Sequence, residues 1–215
     1  MLNQKIAALR KDYQLASLDE QEVASDPFRQ FEKWWQEANN GELDEPNAMT
    51  LATSTAGGHP SARIVLLKSF DEEGFVFFTN YESRKAQEMA ENPHVSLLFF
   101  WRELQRQVRI DGTVSKASPE ISTEYYNSRP LGSRIGAIAS PQSKVIADRS
   151  FLEEQVKIVT EKYVLEAPPR PEYWGGYVVK PSAVEFWQGR SSRLHDRILY
   201  SLTAAGDWST ARLAP

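Results

Sequence analysis

The chain has 215 residues, of which 41% are hydrophobic and 25% charged, enough to bury a core in one large domain or two small ones. It contains no cysteine, which excludes disulfides, thiolate metal sites and cysteine nucleophiles and suits a cytoplasmic protein. The net charge of −4 disfavours nucleic acid as a partner. The sequence has neither an apolar run of membrane-spanning length nor a signal-peptide pattern, so we expect no membrane partner. Its three histidines are widely separated, so no metal site is predicted.

Residues 1–46 are predicted to form a helical segment that packs on the rest of the chain and covers it. Asp26 is followed by a proline, and these two residue types favour the N-cap and the first turn of a helix. Phe31 and Trp34 then lie three residues apart, as expected for one apolar stripe. We expect residues 1–46 and 47–215 to make up a single compact domain.

After residue 46 the hydrophobic pattern changes to period two, which is typical of strands. Strands that are joined by tight turns favour an antiparallel sheet, and six or more short strands favour closure into a small barrel with helices outside. The expected fold is therefore a β-rich α+β barrel. The predicted strands cover residues 48–54, 61–70, 75–79, 95–101, 105–116, 173–179, 183–188 and 193–202, and the predicted helices cover residues 83–91, 118–129 and 151–163.

The last long predicted strand carries three cationic or titratable side chains at alternating positions. Arg193, His195 and Arg197 would share one face of that strand, because side chains alternate along a strand. Two guanidiniums around an imidazole repel one another, but they suit a small ligand that carries phosphate or a developing negative charge. A solvated strand face explains the same pattern, and both interpretations stay open at this point.

A first candidate anion site combines a strand with the start of a helix. Residues 63–68 (RIVLLK) are four apolar residues between Arg63 and Lys68, so the middle of the strand must be buried. Arg84 and Lys85 follow Ser83 at the predicted start of a helix, where backbone N–H groups and the helix dipole favour an anion. The alternatives are strand-end charges that reach water and an ordinary solvated turn.

A second candidate anion site lies on the next predicted helix. Tyr125 and Arg129 are four residues apart and share a face, and Ser133 follows just after Pro130. A phenol, a guanidinium and a hydroxyl suit a phosphate, although an exposed Tyr–Arg stack is the simpler explanation. Two anion sites and abundant aromatic residues together suggest two phosphorylated aromatic ligands, one a cofactor and the other a substrate.

A set of motifs, in order along nearly the whole chain, resembles the pyridoxine/pyridoxamine 5′-phosphate oxidase family. Each motif alone is weakly specific, whereas the ordered set is highly specific. The motifs are RIVLLK at residues 63–68, SRK at 83–85, NSRP at 127–130, YWGG at 173–176, WQG at 187–189, RLHDR at 193–197 and RLAP at 212–215.

The resemblance implies an FMN-binding split β-barrel over residues 47–215, with C-terminal dimerisation strands, and a homodimer with FMN at its interface. Arg193 and His195, close to the reacting carbon, are the implied catalytic residues. Phe78 stands where the family often has tyrosine, which removes one hydroxyl contact. The implied FMN contacts are Arg63, Ile64, Val65, Leu66, Leu67, Lys68, Phe78, Thr79, Arg84, Lys85, Gln107, Gln142, Ser143, Trp187 and Arg197. The implied substrate contacts are Arg10, Tyr13, Lys68, Tyr125, Arg129, Ser133, Arg193 and His195.

The activity that this resemblance implies is oxidation of pyridoxamine or pyridoxine 5′-phosphate to pyridoxal 5′-phosphate, with O₂ as acceptor and H₂O₂ as product. Two alternatives stay open: a split-barrel flavin-dependent reductase of another substrate, and a non-catalytic protein that binds FMN or pyridoxal 5′-phosphate. The set of Tyr125, Arg129 and Ser133 argues against another substrate, because it supplies a second phosphate site.

Overall fold

The computed structural model describes residues 12–41 and 43–215. No helix within these residues is both long enough and apolar enough to cross a membrane. The helices are α1 (Pro27–Asn40), α2 (Arg84–Glu91), α3 (Pro119–Ser128), α4 (Leu131–Ala139) and α5 (Arg149–Lys162), with a 3-10 turn at Ser191–Arg193. The strands are β1 (Ala48–Ser54), β2 (Pro60–Leu66), β3 (Ser69–Asp71), β4 (Gly74–Asn80), β5 (His94–Trp101), β6 (Arg106–Lys116), β7 (Trp174–Gln188), β8 (Asp196–Leu202) and β9 (Trp208–Arg212).

The strands of the described residues belong to one sheet with the order β2-β1-β5-β6-β7-β4-β3, to which β8 adds on β7 and β9 on β8. The pairs β3–β4, β4–β7, β7–β8 and β8–β9 are all antiparallel, which confirms the pairing that the tight turns predict. Helices α1 and α2 begin where the sequence predicts them.

Strand β7 replaces two strands that the sequence analysis predicts separately. It pairs with β4 as far as Val179 and with β8 from Ala183 onward. Pro181 lies between these two stretches, where the strand changes from one antiparallel partner to the other. Proline therefore marks a change of neighbour here and not the end of a strand.

Contacts within the chain divide it into two compact units. The first comprises the described part of Met1–Thr50 with Ser96–Asp111 and Pro181–Pro215, and the second comprises Leu51–Val95 and Gly112–Lys180. The expected segment boundary at residue 46 stays a prediction.

The core of the first unit forms around α1. Asp26 caps this helix by accepting hydrogen bonds from the backbone N–H groups of its first turn. The helix buries Phe31, whose ring centroid lies 5.2 Å from that of Phe99, and Trp34, which meets Phe186 edge to face at 5.2 Å. Each fully buried aromatic side chain contributes about 1.5–3 kcal/mol, so these contacts hold α1 on the sheet.

The core of the second unit forms where β4 pairs with β7. The ring of Phe77 stacks on that of Tyr177, with centroids 5.7 Å apart. Gly176 lies opposite Phe78, and a Cβ at this glycine would approach Cε1 of the phenylalanine to 2.9 Å. Glycine is required at this position, because only a residue without a side chain lets the Phe78 ring lie against β7.

The prediction of a strand over residues 193–202 is wrong at its N-terminal end. Strand β8 begins at Asp196, and Arg193 belongs to the preceding 3-10 turn. Ser192 and Arg193 have φ angles of 55° and 64°, in the left-handed region that an extended strand cannot contain. Arg193, His195 and Arg197 therefore do not share one strand face.

Candidate functional site

The second unit contains a cavity of about 590 Å³, a size typical of small-molecule sites. Parts of β2, β4, α3, α4 and the start of β7 form its walls. The predicted site residues that line it are Ile64, Val65, Leu66, Lys68, Phe78, Thr79, Lys85, Tyr125, Arg129, Ser133 and Gln142. The other lining residues were not predicted as contacts, although Pro130 and Trp174 belong to family motifs; they are Asn80, Pro130, Gly136, Ala137, Ser140 and Trp174.

One wall of the cavity is a stack of three aromatic rings with a guanidinium on it. The rings of Phe78, Tyr125 and Trp174 are nearly parallel, and their centroids lie 4.0 Å apart for Phe78 and Tyr125, 5.7 Å for Phe78 and Trp174, and 6.2 Å for Tyr125 and Trp174. The guanidinium carbon of Arg129 lies 4.6 Å from the centroid of the Trp174 ring. Burial lowers the pKa of Arg129, although the two neighbouring tyrosines, Tyr125 and Tyr126, partly oppose this effect.

The guanidinium of Arg129 has a donor that is not used within the described residues. Its Nη1 atom is buried and has no hydrogen-bond partner within residues 12–41 and 43–215. A buried donor without a partner is costly, and an anionic ligand in the cavity would remove that cost. Lys68 lies between β2 and β3 with its Nζ 5.9 Å from the Tyr125 ring, and Ser133 lies in the first turn of α4. Two cations and a hydroxyl thus line the same cavity.

A second cluster in this cavity is centred on Lys85, near the start of α2. Its Nζ donates to Thr79 Oγ1 at 3.2 Å, to Ser83 Oγ at 3.3 Å and to Gln142 Oε1 at 3.3 Å. All three acceptors are neutral. Burial lowers the pKa of Lys85 and the nearby charge of Arg63 lowers it further, although the carboxylate of Glu88 acts in the opposite direction. The structure therefore brings two predicted FMN contacts, Thr79 and Gln142, to a third, Lys85, whose hydrogen-bond partners within the described residues are all neutral.

Four predicted FMN contacts of the second unit are not among the described residues that line the cavity. Arg63 and Arg84 both bind the carboxylate of Glu88. Leu67 is buried in the core, and Ser143 is an exposed residue with a φ of 70°.

In the first unit, Tyr13, Trp187 and His195 form an aromatic cluster. The Trp187 ring centroid lies 5.9 Å from that of Tyr13 and 4.5 Å from that of His195. Gly189 makes this possible, because a Cβ there would lie 2.8 Å from Cγ of Tyr13. The structure thus brings together one predicted substrate contact, one predicted FMN contact and one predicted catalytic residue.

The imidazole of His195 is held in one tautomer. Its Nδ1 accepts a hydrogen bond of 3.1 Å from the backbone N–H of Arg190, which assigns the proton of the neutral ring to Nε2. Burial lowers the pKa of His195 and the charge of Arg193 lowers it further, although Asp196 acts in the opposite direction. The lowered pKa favours the neutral ring, in which Nε2 is the donor.

The other predicted residues of the first unit that the structure describes are Gln107, Arg193 and Arg197. Arg193 is exposed, and Gln107 is half-buried on β6. Arg197 donates to Glu185 Oε1 at 2.7 Å, and this hydrogen bond raises the pKa of Arg197. Arg10 lies outside the described residues.

Two family models match the chain. One, described as pyridoxamine 5′-phosphate oxidase, matches residues 36–163, and the other, described as the pyridoxine 5′-phosphate oxidase C-terminal dimerisation region, matches residues 174–215. The chain belongs to the pyridoxamine 5′-phosphate oxidase family. This membership supports an oxidoreductase with FMN as cofactor and a homodimer as its assembly.

Curated relatives match over nearly their whole length. A pyridoxine/pyridoxamine 5′-phosphate oxidase of Paraburkholderia phymatum is 60% identical and covers 98% of this chain and 99% of its own. A protein of the same name from Trichormus variabilis is 56% identical and covers 100% of both chains.

Solved structures confirm the predicted fold class. PhzG from Burkholderia lata, in complex with tetrahydrophenazine-1-carboxylic acid, has a TM-score of 0.89 and 30% identity, and covers 95% of this chain and 100% of its own. An FMN-binding protein of Nostoc punctiforme related to pyridoxamine 5′-phosphate oxidase has a TM-score of 0.70 at 17% identity, and covers 90% of this chain and 100% of its own. The second likeness concerns the fold alone.

The residues of the cavity fit FMN, a flat ring system that carries a phosphate. The apolar side chains of Ile64 and Val65 and the ring of Phe78 offer surfaces for the flat ring. Lys85 offers a cation with neutral partners, which suits a phosphate. The spare donor of Arg129 suits a second anion.

Glu88 and Glu185 are the charged residues that the sequence analysis missed. Glu88 lies four residues after Arg84 on a predicted helix, so i,i+4 spacing was a signal that could have found this pair. Glu185 forms a salt bridge with Arg197 between the antiparallel strands β7 and β8, and no local sequence pattern predicts that contact.

Proposed function

We propose that this protein is an FMN-dependent oxidase that converts pyridoxamine 5′-phosphate and pyridoxine 5′-phosphate to pyridoxal 5′-phosphate. The alcohol and O₂ would give the aldehyde and H₂O₂, and the amine would also consume water and release ammonia. The observation that carries the proposal is the spare, buried donor of Arg129 in the cavity that Lys85 also lines, because two separate cationic groups suit two phosphates.

In this proposal Lys85, Thr79 and Gln142 bind the cofactor, and Lys68, Arg129 and Ser133 bind the substrate phosphate. When bound, FMN supplies the acceptor for the hydride that leaves C4′ of the substrate. The chain contributes orientation, because anchoring both phosphates restricts the two rings to a reactive geometry.

Arg193 and His195 are proposed to act on the substrate itself. The guanidinium of Arg193 would stabilise negative charge on the substrate, and His195 would donate a hydrogen bond from Nε2. Tyr13 would close over the ring from its position against Trp187. We also propose that FMN lies at the interface of the homodimer, so that both subunits contribute to each site.

Anaerobic mixing of the purified holoenzyme with pyridoxamine 5′-phosphate tests the proposal. We expect the flavin absorbance to bleach and, after admission of O₂, to recover with one H₂O₂ formed for each flavin reoxidised. Unphosphorylated pyridoxamine at the same concentration is the control and should bleach the flavin far more slowly. If the phosphorylated compound leaves the absorbance unchanged, the protein is not this oxidase.

A second candidate is a flavoenzyme of the same fold that oxidises a tricyclic carboxylic acid. It is favoured by the likeness to PhzG, whose structure holds tetrahydrophenazine-1-carboxylic acid. The guanidinium of Arg129 suits a carboxylate as well as a phosphate. The same anaerobic assay separates the candidates, because the substrate that bleaches the flavin at the lower concentration identifies the activity.

A further inference from the structure

Glu88 is a buried carboxylate that connects two predicted phosphate-binding arginines. It lies on α2, one turn after Arg84, and is only 3% exposed. Its Oε1 accepts from Arg84 Nε at 2.9 Å. Its Oε2 accepts from Arg63 Nη2 at 3.1 Å and from the hydroxyls of Thr53 and Ser61 at 2.5 Å each. A carboxylate with this many donors holds its neighbours in fixed positions.

The two arginines differ in how much of each guanidinium these bonds use. Arg63 also donates from Nη1 to Leu51 O at 3.2 Å and to Thr53 Oγ1 at 2.5 Å, and from Nη2 to Ser61 Oγ at 2.5 Å. Both of its Nη groups are therefore engaged, and its side chain is only 20% exposed. Arg84 uses Nε alone and is 67% exposed, and its two Nη groups form no hydrogen bond within the described residues. Glu88 therefore fixes the direction of Arg84 and leaves both Nη groups for another acceptor.

The charges of this cluster complement a phosphate monoester. Three cations, Arg63, Arg84 and Lys85, stand against the single carboxylate of Glu88, which leaves two positive charges. A phosphate monoester carries about 1.5–2 negative charges at neutral pH. Lys85 follows Arg84 directly and lines the cavity, so the cluster and the cavity are adjacent.

We propose that Glu88 is a positioning residue for the phosphate of FMN. Its carboxylate holds Arg63 and Arg84 in place before the cofactor arrives, so that the free Nη groups of Arg84 meet the phosphate with Lys85 without rearrangement, while Arg63 contributes its charge. The inference rests on the proposed function, which assigns FMN to this cavity. A purely structural role, in which Glu88 only joins α2 to β1 and β2, is the competing explanation.

Titration of the apoprotein with FMN and with riboflavin, followed by flavin fluorescence, separates these explanations. Riboflavin has the same ring system without the phosphate. We expect Glu88→Gln to raise the Kd for FMN about tenfold or more, because a neutral amide cannot hold two guanidiniums, and to change the Kd for riboflavin less than about twofold. Equal weakening of both ligands, or an unchanged or lower Kd for FMN, overturns the proposal.

Glu91→Gln is the matched control, since it removes the same charge from an exposed position on the same helix. It should leave both dissociation constants within about twofold of wild type.

If Glu88→Gln does not fold, as judged by circular dichroism, Ser61→Ala removes one donor from the same carboxylate. That variant should weaken FMN about two- to fivefold and leave riboflavin unchanged, and any other pattern also overturns the proposal.

Two further variants connect the inference to the site. Because Glu88 acts through Arg84, the effects of Glu88→Gln and Arg84→Ala on FMN affinity should be less than additive in the double variant. Additive effects contradict the proposal.

Lys85→Met tests the assignment of FMN to this cavity. If it leaves FMN affinity unchanged, the assignment fails, whereas an effect of Lys85→Met without one of Glu88→Gln rejects the positioning role alone.

Discussion

The cavity of the second unit and the loop at residues 190–197 of the first unit carry the two parts of the predicted chemistry, and they are built differently. The cavity takes its cations from the ends of regular elements and from a ring stack, as with Arg129 on Trp174. The loop has two consecutive left-handed residues, Ser192 and Arg193, and contacts between side chain and backbone hold it. Binding groups here depend on regular structure, whereas the proposed reacting groups depend on an irregular turn.

This difference has a physical reason. A phosphate needs concentrated positive charge at a fixed place, and helix starts and strand ends supply it with little strain. A group that acts on a reacting carbon needs a direction that neither helix nor strand offers, and a turn with unusual backbone angles can supply it. We therefore expect substitutions in the cavity to affect binding, and substitutions in the loop to affect the chemical step.

The largest expected effect is that of Arg193→Ala on the reductive half-reaction. Loss of one donor that stabilises developing charge lowers the limiting rate of flavin reduction about 100-fold, while the Kd for FMN stays within about twofold. Single-turnover mixing at saturating substrate and titration with FMN measure the two quantities. An unchanged limiting rate would remove Arg193 from the chemistry and the loop from its proposed role.

Arg129→Ala should produce the opposite pattern. Loss of a charged hydrogen bond costs about 1.5–3 kcal/mol, so KM for pyridoxamine 5′-phosphate should rise about 10- to 150-fold with little change in kcat. Steady-state kinetics on the holoenzyme measures both parameters. Arg149→Ala, at an exposed position on α5, is the control and should change neither. A fall in kcat at constant KM would contradict the division between binding cavity and reacting loop.

The same contrast explains what the sequence could predict. The start of α1 follows from its capping residue, and the antiparallel pairing follows from period-two patterns and turns, all of which act locally. The cavity residues near Lys85 and Arg129 follow from the same local signals and from the family motifs. The left-handed turn at Ser192 was not predictable, because serine and arginine rarely adopt such angles and no glycine marks the place. The partnership of Glu185 with Arg197 depends on strand register, which local patterns do not determine.

A moderate effect is expected from Asp196, which ties the loop to the N-terminal segment. Its carboxylate accepts from the Leu18 backbone N–H and from the guanidiniums of Arg190 and Arg212. Asp196→Asn removes the charge that these donors bind and should lower the free energy of unfolding by about 1–2 kcal/mol at pH 7. The loss should not be larger, because these ion pairs are partly exposed to solvent. Urea denaturation measures this change, and Asp207→Asn, at an exposed turn, should have no effect.

The pH dependence of that stability follows from the pKa of Asp196. Burial raises this pKa, but the hydrogen bonds from Leu18, Arg212 and Arg190 together lower it below 3.8. A carboxylate with a lowered folded-state pKa contributes stability above the unfolded value and loses it as the pH falls through the folded value. The contribution of Asp196 should therefore persist down to about pH 4 and disappear below it, and the difference between wild type and Asp196→Asn should shrink over the same range.

The smallest expected effect is a change in the titration of His195. Burial and the charge of Arg193 both lower its pKa from 6.5, so Arg193→Ala should raise the pKa and leave the contribution of burial in place. Titration of the histidine Cε1 resonance by NMR measures the change, and Arg102→Ala, an exposed arginine elsewhere in the first unit, is the control.

If the neutral ring is the active form, the rate of flavin reduction falls as the pH drops through this pKa. The residual rate of Arg193→Ala should then begin to fall at a higher pH than the rate of wild type. A pKa that stays unchanged in Arg193→Ala would mean that the guanidinium points away from the imidazole, and the two residues would then not act on one substrate.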